Sequence, residues 1–187
     1  MPTPPDVGAT APEFTLPDET GREVSLSQLA IGNGLVLVFY RGLWCPFCLT
    51  QLAEYRDLLR ISRPGIPEIV ALSVDTPGRS AQLKADLALP FRLLCDPQKR
   101  VLSAWGLLSP EKGGIAFNAT FGLDRRRTVV FRSLDTMVNR ASGEAAIQAV
   151  LHPQPAAPQK RKVFPSLTSW FRGVRYALKH GLGAPRA

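Results

Sequence analysis

The sequence predicts an α/β fold in which a mixed central sheet is flanked by helices. Two apolar runs, LVLVFY at residues 35–40 and IVALSV at residues 69–74, are typical of parallel strands that are buried on both faces. Between them, apolar residues recur at helical spacing over residues 48–59, and Pro46 suits the first turn of that helix. Strand, helix and strand in this order predict a βαβ unit.

The alternation of strands and helices continues on both sides of this unit. Turn residues and changes of hydrophobic period mark the boundaries. The further predicted elements are an N-terminal β-hairpin over 14–26, a helix over 76–89, a strand over 91–94, a helix over 96–106, two strands over 118–123 and 128–132, and a helix capped by Ser142 that runs through Leu151.

The composition changes after this last helix. Residues 152–165 are rich in proline and basic residues, which predicts an extended linker. We therefore divide the chain into a domain over residues 1–151, a linker over 152–165 and a tail over 166–187. Within the tail, apolar side chains recur at helical spacing from Ser166 to His180, and Gly181 ends the pattern. The tail is predicted to be a basic amphipathic helix.

The positive charge of the chain is concentrated in this tail. All 15 acidic residues lie at or before Glu144, whereas seven lysines and arginines follow position 151. A basic amphipathic helix fits an anionic membrane surface or a partner protein, and packing on its own domain or disorder are the alternatives. Specific nucleic-acid binding is not expected, because the charge is not accompanied by a recognisable reader fold.

The N-terminal segment has no apolar stretch of the signal-peptide kind, and no later segment is long and apolar enough to span a bilayer. The sequence therefore predicts a cytoplasmic protein, with a possible peripheral contact at the inner face of the membrane. In a reducing compartment, a close pair of cysteines is more typical of catalysis or metal binding than of a structural disulfide.

The chemically reactive element is Cys45-Pro46-Phe47-Cys48, which follows the first buried strand. We expect Cys45 to lie at a helix N-terminus, where unpaired N–H groups and the helix dipole favour a thiolate. Cys45 is therefore predicted to be the nucleophile, with a lowered pKa. Cys48, one turn further on, is predicted to resolve a mixed disulfide or a sulfenic acid on Cys45.

Three neighbours of the pair are candidate site residues. Arg41 is predicted to stabilise the thiolate, although an exposed, solvated arginine is the alternative. Trp44 and Pro46 are predicted to contact the substrate or a partner protein; for Trp44, a packed aromatic side chain is an equal alternative. Cys95 is read as a small buried side chain rather than a third redox group.

Zinc binding is the main chemical alternative for the cysteine pair. A structural zinc site takes four ligands, and beyond this pair the chain offers only Cys95, His152 and His180. We therefore expect neither a metal nor an organic cofactor.

Several segments resemble the peroxiredoxin-like AhpC/TSA family of the thioredoxin-fold superfamily, over about residues 6–151. The resemblance is carried by LVLVFYRGLWCPFC, by IVALSVD, by LPFRLLCDPQKRVLSAWGL and by NATFGLDRRRTVVF, in the family's order. It implies a thioredoxin-like fold and thiol-dependent reduction of hydroperoxides or disulfides. It also implies regeneration by a thiol reductant such as thioredoxin or glutathione.

The sequence departs from the family pattern at two positions. The family's Thr or Ser three residues before the reactive cysteine is replaced by Gly42, and its catalytic arginine corresponds to Asn118. The acidic residue of thioredoxins corresponds to Phe39, so we expect the Cys48 proton to leave to solvent or to Cys45.

The leading hypothesis is a thiol peroxidase that cycles Cys45 and Cys48 between dithiol and disulfide. The first alternative is thioredoxin- or glutaredoxin-like disulfide exchange. The second is a redox-sensing interaction protein that is not an enzyme and that docks through its basic tail.

Overall fold

A five-stranded mixed sheet forms the centre of the molecule. The computed structural model describes residues 2–61, 65–109, 115–153 and 160–182. Strands β3 (Leu35–Phe39), β4 (Glu68–Ser73) and β5 (Arg92–Cys95) are parallel, and β8 (Asn118–Leu123) and β9 (Val129–Asp135) continue the sheet in antiparallel pairs. The strand order is β5-β4-β3-β8-β9. The predicted α/β fold with a mixed sheet is confirmed.

Smaller elements surround this sheet. The hairpin strands β1 (Thr15–Pro17) and β2 (Glu23–Ser25) confirm the predicted N-terminal hairpin. The remaining elements are α1 (Leu26–Leu29), α2 (Pro46–Ile61), α3 (Pro77–Leu87), α4 (Arg100–Ala104), β6 (Leu108–Ser109), β7 (Ile115–Ala116), β10 (Asn139–Ala141), α5 (Gly143–Leu151), β11 (Lys160–Lys162) and α6 (Leu167–His180).

The two faces of the sheet are covered by separate apolar clusters. Alternate residues of β3 point to opposite sides, as the strand period requires: Leu35, Leu37 and Phe39 join the cluster beneath α1 and α4, whereas Val36 and Val38 join the cluster beneath α2, α3 and α5. All five side chains are buried. This explains why β3 is an uninterrupted apolar run rather than an alternating one.

The C-terminal segments differ from the sequence prediction. Within the expected linker over 152–165, Lys160–Lys162 form strand β11, which pairs antiparallel with β10. The strand is held by Arg161, which forms an ion pair with Glu54, and by Lys160, which donates to the Leu134 carbonyl. These partners are distant in sequence, so local composition could not predict the pairing. Residues 154–159 of the linker and 183–187 of the tail lie outside the described residues.

Helix α6 has the boundaries that the sequence predicts. The Ser166 hydroxyl accepts from the N–H of Ser169 at 3.2 Å, and Gly181 follows the last turn with a φ of 77°. The helix packs on the N-terminal part of α2 and so lies beside the cysteine pair. In the described part of the chain, no helix is long and apolar enough to cross a bilayer.

The aromatic centre of the first cluster allows a test of the fold. Trp105 is fully buried, and its ring lies 5.1 Å from the rings of Phe39 and Phe121. Trp105→Ala is expected to lower the free energy of unfolding by about 3–5 kcal/mol, because the cavity cannot collapse fully. Urea denaturation measures this, with Phe117→Ala at a half-exposed aromatic residue as the control; equal losses in both variants would contradict the packing.

Candidate functional site

The two cysteines lie at the carboxyl end of β3, where the chain enters α2. The carbonyl of Cys45 accepts from the N–H groups of Cys48 and Leu49, both at 3.0 Å, so Cys45 is the N-cap residue that directly precedes the helix. Pro46 is the first residue of α2, as predicted. Both cysteine side chains are buried, and neither is in a disulfide.

The loop before Cys45 is held by a buried acid. Asp75 Oδ2 accepts from the Leu43 N–H at 2.9 Å and from the Ser73 hydroxyl at 3.1 Å. Gly42 has a φ of 141°, and a Cβ at this position would lie only 2.9 Å from Trp44 Nε1. A threonine or serine at position 42 therefore does not fit unless Trp44 moves.

The two thiols are hydrogen-bonded to each other, and the pair is asymmetric. Burial opposes ionisation of Cys48, but the hydrogen bond from Cys45, the Arg140 charge and the Arg41 backbone N–H lower its pKa to about 6. The hydrogen bond to Cys48 and burial together raise the pKa of Cys45. In this arrangement, the negative charge of the pair lies on Cys48.

This distribution of charge is the reverse of the expectation that Cys45 has the lowered pKa. The sequence argument used the helix N-terminus, which acts mainly on Cys45. The structure adds two contacts at Cys48, first the hydrogen bond from Cys45 and second the Arg140 cation, and both favour the charge on Cys48.

The cation is Arg140 on strand β10, which the sequence analysis did not select. Its side chain is fully buried, and its Nη2 donates to Cys48 Sγ at 3.6 Å. Nη1 donates to Gln51 Oε1 at 2.5 Å, and Nε donates to the Met137 carbonyl at 3.0 Å. Nothing in the local sequence distinguishes Arg140 from a surface arginine, because its burial depends on the pairing of β10 with β11 and on the packing against α2.

Arg41, the predicted thiolate-stabilising residue, has a different contact. Its guanidinium lies over the ring of Trp44, with Cζ 4.8 Å from the ring centroid. It influences Cys48 through its backbone N–H rather than through its side chain. The guanidinium that contacts a cysteine sulfur is therefore that of Arg140, not that of Arg41.

Asn118 provides a second partner for Cys48. When Cys48 is protonated, its S–H donates to Asn118 Oδ1 at 3.4 Å. Asn118 therefore accepts a hydrogen bond from Cys48 when Cys48 is protonated and Cys45 is the thiolate. The position that carries arginine in the family pattern therefore carries an acceptor here, while Arg140 brings the positive charge from another strand.

The cysteine pair does have a neighbouring carboxylate, Asp75, contrary to the sequence expectation. Burial raises the pKa of Asp75 to about 6, and the negative charge of Cys48 also raises it. The Arg79 guanidinium, 3.9 Å from Oδ1, has the opposite effect. Asp75 lies two residues beyond the end of β4, and the alignment with thioredoxins at Phe39 gave no signal for it.

A cavity of about 260 Å³ opens beside Cys45. It lies between the start of α2 and helix α6, and its walls are almost entirely apolar. The lining residues are Arg41, Trp44, Cys45, Pro46, Phe47, Met137, Trp170, Gly173, Val174, Ala177 and Leu182. The predicted contact residues Trp44 and Pro46 are thus brought together with Cys45, whereas Cys48 lies behind it and does not line the cavity.

Cys95 has no part in this arrangement. It is buried, its S–H donates to the Ser80 hydroxyl at 3.3 Å, and burial raises its pKa to about 12. Across the described ranges, no three His, Cys, Asp or Glu side chains are grouped so that they could hold a metal ion.

The fold and the site together define a thioredoxin-like protein with a cysteine pair at a helix start. The AhpC/TSA family model matches residues 7–132, and the chain belongs to that family. A chloroplastic peroxiredoxin Q of Oryza sativa subsp. japonica is 32% identical over 124 residues, which are 66% of this chain and 57% of the relative. A putative peroxiredoxin of Mycobacterium tuberculosis is 37% identical over 99 residues, 53% of this chain and 62% of the relative.

Solved structures agree with the fold. The peroxidoxin BcpB from Mycobacterium tuberculosis superposes with a TM-score of 0.66 at 26% identity, over 78% of this chain and 93% of that chain. The AhpC of Mycobacterium bovis superposes with a TM-score of 0.69 at 22% identity, over 86% and 100% of the two chains. The matched region spans less than two thirds of the length of the curated relatives.

The asymmetry of the cysteine pair gives a pH-dependent prediction. A pKa of about 6 for Cys48 means that the folded protein carries one thiolate at pH 7.5, whereas free cysteines with a pKa of about 8.5 remain mostly protonated. Between these two pKa values the unfolded chain binds more protons than the folded protein does, so the contribution of the cysteine pair to the free energy of unfolding rises from about pH 6 to about pH 8.5. Thiolate absorbance and urea denaturation of the reduced protein across pH 5–8.5 measure both effects.

Arg140→Met is expected to raise the apparent thiolate pKa by about 1 to 3, because it removes the buried cation. Arg140→Lys retains the charge and is expected to give a smaller rise. Arg41→Met is the matched control, since it removes a guanidinium that stacks on Trp44. A larger shift in Arg41→Met than in Arg140→Met would contradict the assignment, and circular dichroism checks that each variant is folded.

Proposed function

We propose that the protein reduces hydroperoxides through a dithiol–disulfide cycle of Cys45 and Cys48. The observation that supports this proposal is the position of Cys45 in the wall of an apolar cavity, with Cys48 hydrogen-bonded directly behind it. Family membership supports the reaction class, because the curated relatives are named peroxiredoxins. The cycle requires no metal or organic cofactor.

The first step is attack of a Cys45 thiolate on the outer oxygen of the hydroperoxide. The proton of Cys45 first moves to Cys48, where Asn118 Oδ1 accepts the resulting S–H. The sulfur–oxygen bond then forms as the oxygen–oxygen bond breaks. Cys45 becomes a sulfenic acid and the substrate leaves as an alcohol, which takes its proton from Cys48.

The second step is attack of the Cys48 thiolate on the sulfenic sulfur. A disulfide forms between the two cysteines, and hydroxide leaves and is protonated to water. Arg140 stabilises the Cys48 thiolate of this step, because its Nη2 already donates to that sulfur. A dithiol reductant such as thioredoxin, or glutathione, then returns the pair to the reduced state.

Disulfide exchange is the alternative reaction at the same cysteines. Trp44 and Pro46 would then contact the partner protein, because both lie at the cavity beside Cys45. The absence of a hydroxyl at Gly42 and of an arginine at position 118 favours this alternative, whereas the narrow apolar cavity favours a small substrate. A redox sensor that acts only by docking its tail is the third candidate.

We also propose a location in the cytoplasm, with the tail over 166–180 making a peripheral contact with a membrane or a protein. The exposed apolar residues of α6 support this proposal. The proposed division of the chain at residue 151 is consistent with it, since α5 ends there and α6 lies outside the main sheet.

The proposal is tested by peroxide consumption with thioredoxin as the reductant. Cys45→Ser is expected to lose activity by at least about a thousandfold, because serine is not ionised at neutral pH. Cys48→Ser is expected to accumulate a Cys45 sulfenic acid, seen by mass spectrometry, and to lose turnover with thioredoxin. Cys95→Ser is the matched control and should retain full turnover. Equal turnover in Cys45→Ser and in the wild type would refute the proposal, and turnover of disulfides alone would favour exchange.

A further inference from the structure

Helix α6 has three sides of different chemistry, and only one of them is used by the fold. The buried side carries Ser169, Gly173 and Tyr176. A Cβ at Gly173 would lie 2.8 Å from Pro46 Cγ, so the helix is in close contact with the residue that follows Cys45. The Tyr176 hydroxyl donates to Asp86, and Arg79 donates to the His180 carbonyl at 3.0 Å. These contacts fix the orientation of the helix.

The second side is apolar and faces outward. Phe171 is 70% exposed and Leu178 is 85% exposed. Five side chains at helical spacing form this surface, which we call the apolar face: Leu167, Trp170, Phe171, Val174 and Leu178. An apolar stripe of this kind is normally buried, but here the side with Ser169, Gly173 and Tyr176 is buried instead, and each residue of the apolar face is at least 42% exposed.

The third side is basic and lies next to the apolar face. Arg175 and Lys179 are exposed, and Arg172 is half-buried. No aspartate or glutamate follows Glu144 in the sequence, so these cations have no acidic side chain beside them on the helix. A surface with adjacent apolar and cationic sides is complementary to a bilayer with anionic headgroups, because such a bilayer offers apolar and negative groups at neighbouring depths.

The apolar face is continuous with the cavity beside Cys45. Trp170 and Val174 belong to both, and Leu182, which is also exposed, lines the cavity just beyond the helix. Met137 extends the apolar surface on the opposite side of the cavity. A bilayer that covers the apolar face would therefore also meet the mouth of the cavity.

We propose that α6 docks the protein on an anionic lipid bilayer, and that the hydroperoxides of the membrane lipids themselves are its substrates. The second part rests on the proposed function, whereas the docking does not. A second copy of the chain is a poorer occupant of the same face, because a two-fold contact would bring Arg175 and Lys179 close to the same cations of the other copy.

The docking is tested by flotation of the full chain with phosphatidylcholine vesicles, with and without phosphatidylglycerol. The wild type is expected to float with the anionic vesicles and to be released by high salt. The double variant Phe171→Glu, Leu178→Glu is expected to lose binding by at least about tenfold, and so is Arg175→Glu, Lys179→Glu. The matched controls are Ile31→Glu, at a residue with 71% exposure, and Arg125→Glu, Arg126→Glu in the β8–β9 turn, which should bind as the wild type does.

Three outcomes would overturn the docking proposal. The first is equal flotation with neutral and anionic vesicles, and the second is flotation that is unchanged in the α6 variants. The third is absence of flotation together with a concentration-dependent dimer, measured by sedimentation, that Phe171→Glu disrupts; this would assign the apolar face to a second copy. Cys45→Ser should float like the wild type, so failure of the peroxidase proposal is distinguishable from failure of docking.

The substrate class is tested with two hydroperoxides, a phospholipid hydroperoxide in anionic vesicles and hydrogen peroxide in solution. Phe171→Glu, Leu178→Glu is expected to lower kcat/KM for the vesicle substrate by at least about tenfold and to leave that for hydrogen peroxide unchanged, because neither residue lines the cavity. Equal loss on both substrates, or no loss on either, would contradict delivery from the membrane.

Discussion

The site depends on the interaction between the buried guanidinium of Arg140 and the sulfur of Cys48. A fully desolvated cation is costly unless an anion or several hydrogen-bond acceptors face it. Here the acceptors are a glutamine side chain and a backbone carbonyl, and the sulfur of Cys48 lies within reach of Nη2. The cation and the thiolate therefore stabilise each other, and the reactivity of the cysteine pair is coupled to the packing of β10 against α2.

As a result, the two cysteines have different environments. Cys45 lines the cavity, whereas Cys48 faces the cation. The negative charge lies on the inner sulfur, and in the proposed reaction it passes to the outer one when a proton moves between them. Asn118, which accepts a hydrogen bond from protonated Cys48, is the first residue of β8, and Asp75, which holds the loop before Cys45, follows the end of β4. The polar groups around the pair thus come from β8, from β10 and from the loop after β4, whereas the two sulfurs lie at the start of α2.

Helix α6 connects the cavity beside Cys45 with an exposed apolar surface. Its small side packs on Pro46 and so forms one wall of the cavity beside Cys45. Its exposed side carries large apolar residues at a position where a folded protein usually has polar ones. The same helix therefore forms one wall of the cavity beside Cys45 and carries the exposed apolar surface for which we propose a bilayer as the partner.

The local sequence was sufficient for the elements whose cause is local. The uninterrupted apolar run predicted β3, and the helical spacing of apolar residues predicted α2 and α6. Pro46 marked the start of α2, and Ser166 and Gly181 marked the ends of the tail helix. The cysteine spacing pointed to the site because both sulfurs lie on one turn of one helix. Chemistry that depends on neighbours along the chain is visible in the sequence.

Tertiary structure alone decided which charges meet those sulfurs and which face of α6 is buried. Arg140 is 92 residues from Cys48 along the chain, and an arginine brought in by strand pairing has the same local pattern as one in solvent. The outward apolar face of α6 follows from a close contact at Gly173, where only a residue without a side chain allows the approach. Long-range contacts of this kind depend on the packing of whole elements, for which a single sequence carries no periodic signal.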